Sequence, residues 1–503
     1  MSRFLLLLLF LIWMAWRPEE AVSGPGAGIN LTLFVGMYAL LIVMLGMWSR
    51  LLARRVGSTK FRKSLRYFNR VMFGAQLFVP VWFAVGVFFL GWGQTVSWFL
   101  RGMSDWPVQV PGAIIGTIPA LLAWMGLWWS QYPADRALRE QNALARFDQD
   151  LPIYTSPPFR EYVRQSFRLQ ILFSAVPILM ILLVHDALMV GLWNFNINIQ
   201  GSAIEGLVTF CSAIAVFIIV PALLYRILGA HPLPPSALRD RMEAMCEMHR
   251  LRFRNILLWP THNRIANALV MGVAPRFRYV LLSDLLLCEM SDEQIEAVFA
   301  HELGHVVHRH MIWYLVFMKV LILVLAVVAL FLEAVQRNWL KLPSFIPMDL
   351  LMTLAGFGGF LLAFGFISRR FERQADVFAA RTLQRNYAPP PDVKTSHVGP
   401  VGAGIFASAL ERVARINNMP LGSHRRWEGG PMQRLGWLVE RFADLGNNWL
   451  HGSIATRMSA LHHMSCDPAR TFHFDRRMAR LYVTLLVMLV VSGTLAWVIK
   501  LPI

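Results

Sequence analysis

The sequence predicts a mainly α-helical protein that crosses a membrane eight or nine times. Of its 503 residues, 56% are hydrophobic and only 16% are charged, and the mean hydropathy is +0.48. Typical soluble domains carry about 25% charged residues, so this composition points to lipid as the main solvent. Eight runs are long and apolar enough to span a bilayer as helices. They cover roughly residues 30–48, 70–93, 109–130, 169–193, 203–225, 311–333, 349–367 and 481–499.

A ninth apolar run, at residues 4–16, is shorter than a full membrane span. It follows Arg3, as the apolar core of a signal peptide does, and it could also remain as an uncleaved first anchor. We favour an anchor, because no clean small-x-small cleavage site precedes Ala21–Gly24. Residues 1–29 are therefore predicted to be an N-terminal anchor or signal segment, and residues 30–225 the N-terminal transmembrane helices.

The positively charged residues of the chain are concentrated in alternate loops between the predicted spans. Lys and Arg number 48 against 30 Asp and Glu, a net charge of +18. Eight basic residues lie in loop 49–70 and six in loop 131–168, against one in loop 94–108 and none in loop 194–202. This alternation is the positive-inside pattern, which places the basic loops in the cytoplasm. The net charge is therefore mainly a topology signal, and a nucleic-acid partner is not expected.

Two long segments lie outside the predicted spans, both on the cytoplasmic side. They are residues 226–310 and residues 368–480. Residues 311–367 supply two spans between them, and residues 481–503 supply a C-terminal transmembrane helix. The outward loops are short, so chemistry outside the lipid is expected in these two segments.

The first of these segments contains an HExxH motif made by His301, Glu302 and His305. Residues four apart share one face of a helix, so the two imidazoles can hold one metal ion with Glu302 beside it. Ser291 and Gln294 have the spacing of a capping box, which predicts a helix start just before the motif. The helix then runs almost directly into the next span, so the site is expected at the cytoplasmic membrane face. The alternative is a polar helix end with histidines at the membrane interface.

A catalytic zinc needs a third protein ligand and an open position. Glu372 is the best candidate, because it follows a span that returns the chain to the cytoplasmic side. Asp376, one helical turn later, is placed to accept a hydrogen bond from a ligand histidine. Two other residues are candidates for the third ligand. Glu333 is excluded because it lies at the opposite membrane face, and His308 is excluded because it lies about 10.5 Å along the helix axis from His301, too far to share one ion. The alternative for Glu372 and Asp376 is that they lie at the start of a cytoplasmic helix and have no role at a metal.

Some ionisable side chains fall inside predicted spans. They are His185, Asp186, Glu205 and Lys319. Such residues usually face a bundle interior or a wet cavity. Glu205, near a span end, is instead expected to reach the membrane surface.

Three stretches of the chain resemble the integral-membrane gluzincin zinc metallopeptidases, a family that includes the CaaX prenyl endopeptidases and the HtpX-like proteases. They are NALVMG at Asn267–Gly272, Tyr279–Leu287 and SDEQIEAVFAHELGHVVHRH. The stretch FERQAD is similar to the second zinc motif of the family, ExxxD. His451–Arg457 is similar to its His-Pro-x-x-x-x-Arg element, with Gly452 in place of proline. The resemblance covers about residues 231–464.

The resemblance implies a cytoplasmic, zincin-like α+β metalloprotease region with its HExxH core in residues 226–310. One zinc ion per chain is the implied cofactor. Its implied ligands are His301, His305 and Glu372. Glu302 is then the general base, which takes a proton from the attacking water.

The resemblance also implies residues that contact the substrate. Asn267 and Ala268 would lie on an edge strand that pairs with an extended peptide. His451 and Arg457 would stabilise the oxyanion or hold a substrate carbonyl. The alternatives are a turn residue at Asn267 and an ordinary surface histidine at His451.

The predicted function is a zinc-dependent endopeptidase that cleaves membrane or membrane-proximal polypeptides at the cytoplasmic face, for quality control or for specific processing. The Arg-biased loops favour a bacterial inner membrane. The expected partners are a polypeptide substrate and the lipid bilayer; the oligomeric state is left open. One alternative is a signalling receptor that cuts a cytoplasmic repressor, although the largest outward loop has only about 15 residues. Another is a scaffold with a structural metal, which usually has four protein ligands.

Overall fold

The structure is a computed structural model. It describes residues 2–16, 28–56, 61–101, 109–148, 150, 152–197, 199, 202–338, 348–387, 397–417, 419 and 450–498. The chain divides into two compact units, the first built mainly from residues up to Ala213 and the second mainly from residues after it.

The N-terminal unit consists of helices. They are α1 (Ser2–Met14), α2 (Gly28–Ala53), α3 (Phe61–Phe88), α4 (Trp92–Phe99), α5 (Val110–Phe147), α6 (Phe159–Ser166), a π-helical turn (Phe167–Leu172), α7 (Phe173–Asn194) and the start of α8 (Ala203–Ile219). Small residues let α2 and α5 pack closely, since a Cβ on Gly126 would lie 2.3 Å from Ile42 Cδ1. The Ser130 hydroxyl on α5 also donates a hydrogen bond to the carbonyl of Ile42, at 2.7 Å.

The eight predicted spans all correspond to apolar helices. Among the described residues, seven helices are long and apolar enough to cross a membrane, and an eighth span is α8 together with α9 (Pro221–Ile227), which bend by 53° at their junction. The short run at residues 4–16 forms α1, whose Leu6 and Leu9 are fully buried. Its role as an anchor stays a prediction.

The C-terminal unit combines a small sheet with helices. Its strands are β1 (His231–Pro232), β2 (Asn255–Trp259), β3 (Ala268–Met271) and β4 (Tyr279–Ser283). Its helices after α9 are α10 (Ala237–Met248), α11 (Asp284–Glu289), α12 (Asp292–Val307), α13 (His310–Asn338), most of α14 (Met348–Tyr387), α15 (Pro400–Ile416), α16 (Ile454–Cys466) and α17 (Pro468–Val498). The prediction of a mainly helical membrane protein with a small α+β region is confirmed.

The sheet has the strand order β1-β2-β4-β3, so β3 is an edge strand among the described residues. β2 and β4 pair in parallel, and β3 pairs with β4 in antiparallel register with Val270 opposite Val280. All five residues of β4 are buried, as expected for a central strand. β3 lies next to α12 and so brings a strand edge to the HExxH helix.

Helix α12 begins and ends as its sequence predicts. The Ser291 hydroxyl accepts the N–H of Gln294, and the Gln294 side chain accepts the N–H of Ser291, which completes the capping box. After α12, Arg309 adopts a left-handed conformation with φ 53°, and α13 starts at His310.

Helices α12 and α14 approach each other at Gly304. A Cβ on this glycine would lie 2.9 Å from the Cα of Ala375, which is closer than real Cβ atoms come. Glycine in the middle of the HExxH motif therefore permits a backbone contact that brings the two helices together. This contact places the second carboxylate motif of the sequence beside the first.

Candidate metal centre

His301 and His305 on α12 meet Glu372 on α14, as the sequence predicted. The Nε2 atoms of the two histidines lie 3.3 Å apart. Glu372 places Oε2 at 3.5 Å from Nε2 of His301 and Oε1 at 3.6 Å from Nε2 of His305. Among the described residues, they form the one group of three or more such side chains whose ligand atoms all lie within 4.8 Å of one another.

These separations fit a zinc ion. Tetrahedral zinc with nitrogen and oxygen ligands at about 2.0–2.2 Å separates its ligand atoms by about 3.3–3.6 Å. Glu372 is 5% exposed, and its buried Oε2 has no hydrogen-bond partner among the described residues. A buried carboxylate oxygen without a hydrogen bond is costly, so a cation between Glu372 and the two imidazoles accounts for this arrangement. Three ligands leave a fourth position open, as in catalytic sites.

The protonation of the site favours a bound cation as well. Desolvation would lower the pKa of His301, but Asp376 and Glu372 outweigh it and raise this pKa to about 9. Desolvation lowers the pKa of His305 well below its usual range. The carboxylates thus attract positive charge at His301, while His305 stays neutral. A metal ion can replace the proton, because ligand imidazoles bind metals in the neutral form.

Asp376 lies behind the first ligand. Its Oδ1 is 3.0 Å from Nδ1 of His301, which is hydrogen-bonding distance, although the ring N–H does not point along this line. Arg457 on α16 holds the same carboxylate through two hydrogen bonds, from Nε at 2.9 Å and from Nη2 at 2.5 Å. Its Nη1 is 3.6 Å from Oε2 of Glu372. Arg457 is therefore engaged by the carboxylates, and its predicted contact with an oxyanion stays a prediction.

His310 supports the second ligand, and sequence reasoning missed this. Its Nδ1 lies 2.9 Å from Nδ1 of His305, and its Nε2 lies 3.0 Å from Oε1 of Gln374. The Tyr482 hydroxyl of α17 donates to the same amide oxygen, and the His310 ring stacks on Phe371 with centroids 4.4 Å apart. The only sequence signal was a further histidine five residues after His305.

Glu302 lies beside the ligand group and against the strand edge. The backbone N–H of Val270 donates to Oε2 of Glu302 at 3.0 Å. Desolvation raises the pKa of the Glu302 carboxyl, which makes the carboxylate a stronger base. One carboxylate oxygen of Glu302 is thus held by β3.

His451 also reaches the site. Its Nδ1 lies 2.9 Å from Oε1 of Glu372, while 60% of its side chain is exposed. The next residue, Gly452, has φ +74°. Proline is fixed near φ −65° and cannot adopt this conformation, whereas glycine can. The glycine that replaces the usual proline therefore allows the turn that brings His451 to Glu372.

Asn267 and Ala268 lie where β3 begins. The carbonyl of Asn267 accepts the N–H of Ser283 at 3.0 Å, and its own N–H donates to the Ser283 hydroxyl. Residues of an antiparallel strand alternate in the direction of their backbone groups, so those of Ala268 point away from β4. Asn267 is exposed and Ala268 is buried. Their predicted contact with a substrate is untested.

The apolar helices and the three-ligand group define the class of this protein as a membrane metallopeptidase. Comparison with known families agrees, because residues 237–464, just under half of the chain, match peptidase family M48. The match contains every predicted site residue from Asn267 to Arg457. Residues 237–464 thus resemble a peptidase family M48 domain, and the activity of this integral-membrane protein is that of a metalloendopeptidase.

One solved structure with a similar fold is the crystal structure of Ste24p from S. mikatae. The two chains share 14% identity with a TM-score of 0.47, and the similarity covers 87% of this chain and 100% of Ste24p. No curated protein matches this chain.

Proposed function

We propose that this protein hydrolyses peptide bonds of membrane or membrane-proximal polypeptides at the cytoplasmic membrane face, with Glu302 as the general base. One observation carries the proposal. The ligand atoms of His301, His305 and Glu372 have the spacing of a tetrahedral zinc site, with Glu302 and the edge of β3 directly beside them. Three ligands rather than four favour a catalytic over a structural metal.

The chemistry divides between the metal and the chain. Zinc, when bound, supplies a water of lowered pKa and polarises the substrate carbonyl. Glu302 accepts the proton of the attacking water at the carboxylate oxygen that Val270 does not hold, and then delivers it to the leaving amine. Asp376 and His310 lie behind the ligand imidazoles, at 3.0 Å from Nδ1 of His301 and 2.9 Å from Nδ1 of His305, which supports a role for both residues in orienting the rings.

The substrate binds in an extended form along β3. The outward backbone groups of Ala268 pair with the peptide, and the exposed side chain of Asn267 lies at the start of the same edge. Ala268 is 5% exposed, so this pairing occurs within the site rather than on the open surface. His451 is exposed enough to reach the carbonyl of the scissile bond, and it donates to the oxyanion there together with Arg457.

The site faces the cytoplasm of a bacterial inner membrane in this proposal. α12 leads through Arg309 straight into the span of α13, which supports a position of the site at a membrane face. The basic loops favour the cytoplasmic face. The exposed Cys466 on α16 tests it in a Cys211→Ser, Cys288→Ser background. A membrane-impermeant thiol reagent should label Cys466 in opened cells but not in intact ones.

The reaction is tested with purified protein in liposomes and casein, an unfolded polypeptide. Wild type and Glu302→Gln should both hold about one zinc per chain. The variant should lose about 10²–10⁴-fold in cleavage rate, because the general base is removed while all three ligands remain.

The matched control is Glu293→Gln, which changes an exposed carboxylate of the first turn of the same helix. It should leave both zinc content and cleavage unchanged. Absence of zinc from the wild type, or equal cleavage by Glu302→Gln, would contradict the proposal.

A further inference from the structure

Asn417, the residue that follows α15, makes an unusual contact with the start of the strand edge. Its Oδ1 accepts the backbone N–H of Ala266 at 3.0 Å, and its Nδ2 donates to the carbonyl of the same residue at 2.8 Å. The two residues are 151 positions apart in the chain. The side-chain amide therefore satisfies both backbone groups of one residue.

Ala266 belongs to the same edge as the proposed substrate contact. Asn267 directs its backbone groups toward Ser283 on β4. By alternation, those of Ala266, Ala268 and Val270 point away from the sheet. Val270 confirms this direction, because its N–H reaches Glu302. Two hydrogen bonds exchanged with one residue are what a neighbouring antiparallel strand would make, so the amide of Asn417 takes the place of a strand residue opposite Ala266.

We propose that Asn417 ends the substrate-binding edge and limits how many substrate residues can pair with it on that side of the scissile bond. This inference rests on the proposed function. Glu302 marks the reacting bond at Val270, and four residues of strand span about 13 Å from there to Ala266. A substrate strand can thus extend about three residues beyond the reacting bond toward Asn417, and then it must end or turn away.

The position of Asn417 is firmly set by α15. Arg412 of this helix donates to the carbonyl of Glu289 at 2.8 Å and to its carboxylate at 3.0 Å. Phe406, earlier in the helix, stacks on the His301 ring with centroids 5.6 Å apart. The helix whose Phe406 stacks on His301 therefore also leads directly to the residue that closes the strand edge.

The test compares wild type with Asn417→Ala in liposomes. One casein cleavage site is mapped, and fluorogenic peptides around it are lengthened by one residue at a time on either side. For wild type, kcat/KM should stop rising after about three residues on one side only. For Asn417→Ala it should continue to rise, by about tenfold, because two further backbone hydrogen bonds become available at Ala266. Short peptides should be cleaved equally by both.

Two further variants isolate the effect. Asn417→Asp keeps the acceptor for the Ala266 N–H and loses the donor, so it should show an intermediate length dependence. Arg415→Gln changes the same helix end, where Arg415 pairs only with Glu411 of its own helix among the described residues, and it should behave as wild type. Thermal melting of each variant reports its folding.

A uniform loss of kcat/KM at every peptide length would show that Asn417 is merely structural and would overturn the inference. An unchanged length profile would overturn it as well. The same peptides are also titrated onto Glu302→Gln with and without Asn417→Ala, and their Kd values are compared. If wild type cleaves casein nowhere, the proposed function fails, and a series of alanine peptides of increasing length, titrated onto the same two variants, decides the role of Asn417 instead.

Discussion

Two buried groups of histidines and carboxylates in this molecule have similar composition and different geometry. In the C-terminal unit, His301, His305 and Glu372 direct three ligand atoms at a common point. In the N-terminal unit, Nδ1 of His185 lies 3.4 Å from Oδ1 of Asp186, and its Nε2 lies 3.6 Å from Oε1 of Glu205. Burial and residue type are thus shared by both groups.

The two groups differ in the hydrogen bonds that their carboxylate oxygens accept. Oδ2 of Asp186 accepts the backbone N–H groups of Gln109 at 2.7 Å and Val110 at 2.8 Å, at the start of α5. A carboxylate that binds the first N–H groups of a helix is a cap. In the candidate metal centre, it is Asp376 that accepts hydrogen bonds from the fold, through Arg457. The buried Oε2 of Glu372 has no hydrogen bond among the described residues. A site for chemistry therefore needs ligands whose lone pairs are not already used by the fold.

The largest expected effect on zinc content and cleavage is that of Glu372→Ala, which removes the third candidate zinc ligand. Removal of one of three ligands should reduce the zinc content from one ion per chain to near zero. Cleavage should fall by on the order of 1,000-fold or more, since the metal provides the nucleophile. Elemental analysis and the casein assay measure both.

The matched control is Glu205→Ala, which removes the carboxylate beside His185 in the N-terminal group. It should leave the zinc content at the wild-type level. Loss of zinc from Glu205→Ala, or full retention by Glu372→Ala, would remove the distinction between the two groups.

A smaller effect is expected for Asp376→Asn, which retains the shape of the side chain that orients His301. The neutral amide is a weaker acceptor and a weaker partner for Arg457, so zinc affinity should fall by about 10–100-fold. Competition with a zinc chelator measures this affinity. Asp475→Asn is the control, because Asp475 also pairs with an arginine, Arg381, but does not contact a ligand. Equal affinities for the two variants would contradict the role of Asp376.

The smallest effect is expected for Asp186→Ala. Loss of the cap at α5 should lower the free energy of unfolding by about 1–2 kcal/mol, and zinc content should stay unchanged. Thermal melting in detergent, together with elemental analysis, checks both statements. A loss of zinc without a change in melting temperature would show that the cap is more than structural.

Features that depend on local spacing could be predicted from the sequence. The pairing of His301 with His305 and the capping box at Ser291 both follow from helical periodicity, and the apolar runs follow from the thickness of a bilayer. Glu372 could be proposed as a ligand because two successive apolar spans, α13 and α14, return the chain to the side of the membrane from which α12 leads into α13. The ends of the helices were harder to predict from the sequence, because α5 and α14 extend well beyond their apolar parts, to Phe147 and Tyr387.

Features that depend on tertiary contacts could not be predicted. His310 meets His305 because Arg309 adopts a left-handed conformation that rarely suits a side chain of its size. Asn417 meets Ala266 across 151 residues. Glu205, which was expected to reach the membrane surface, instead lies beside His185. None of these contacts leaves a periodic pattern in the sequence.

Gly304 shows how a position without a functional group can decide whether a metal is held. The Cβ of an alanine there would meet the backbone of α14 at Ala375, and the helix that carries Glu372 would have to retreat from the helix that carries the histidines. One added methyl group would thus weaken the centre while every ligand remained in the sequence. The protein would keep the full HExxH signature while its three candidate ligands moved apart, so the motif alone does not make a metal centre.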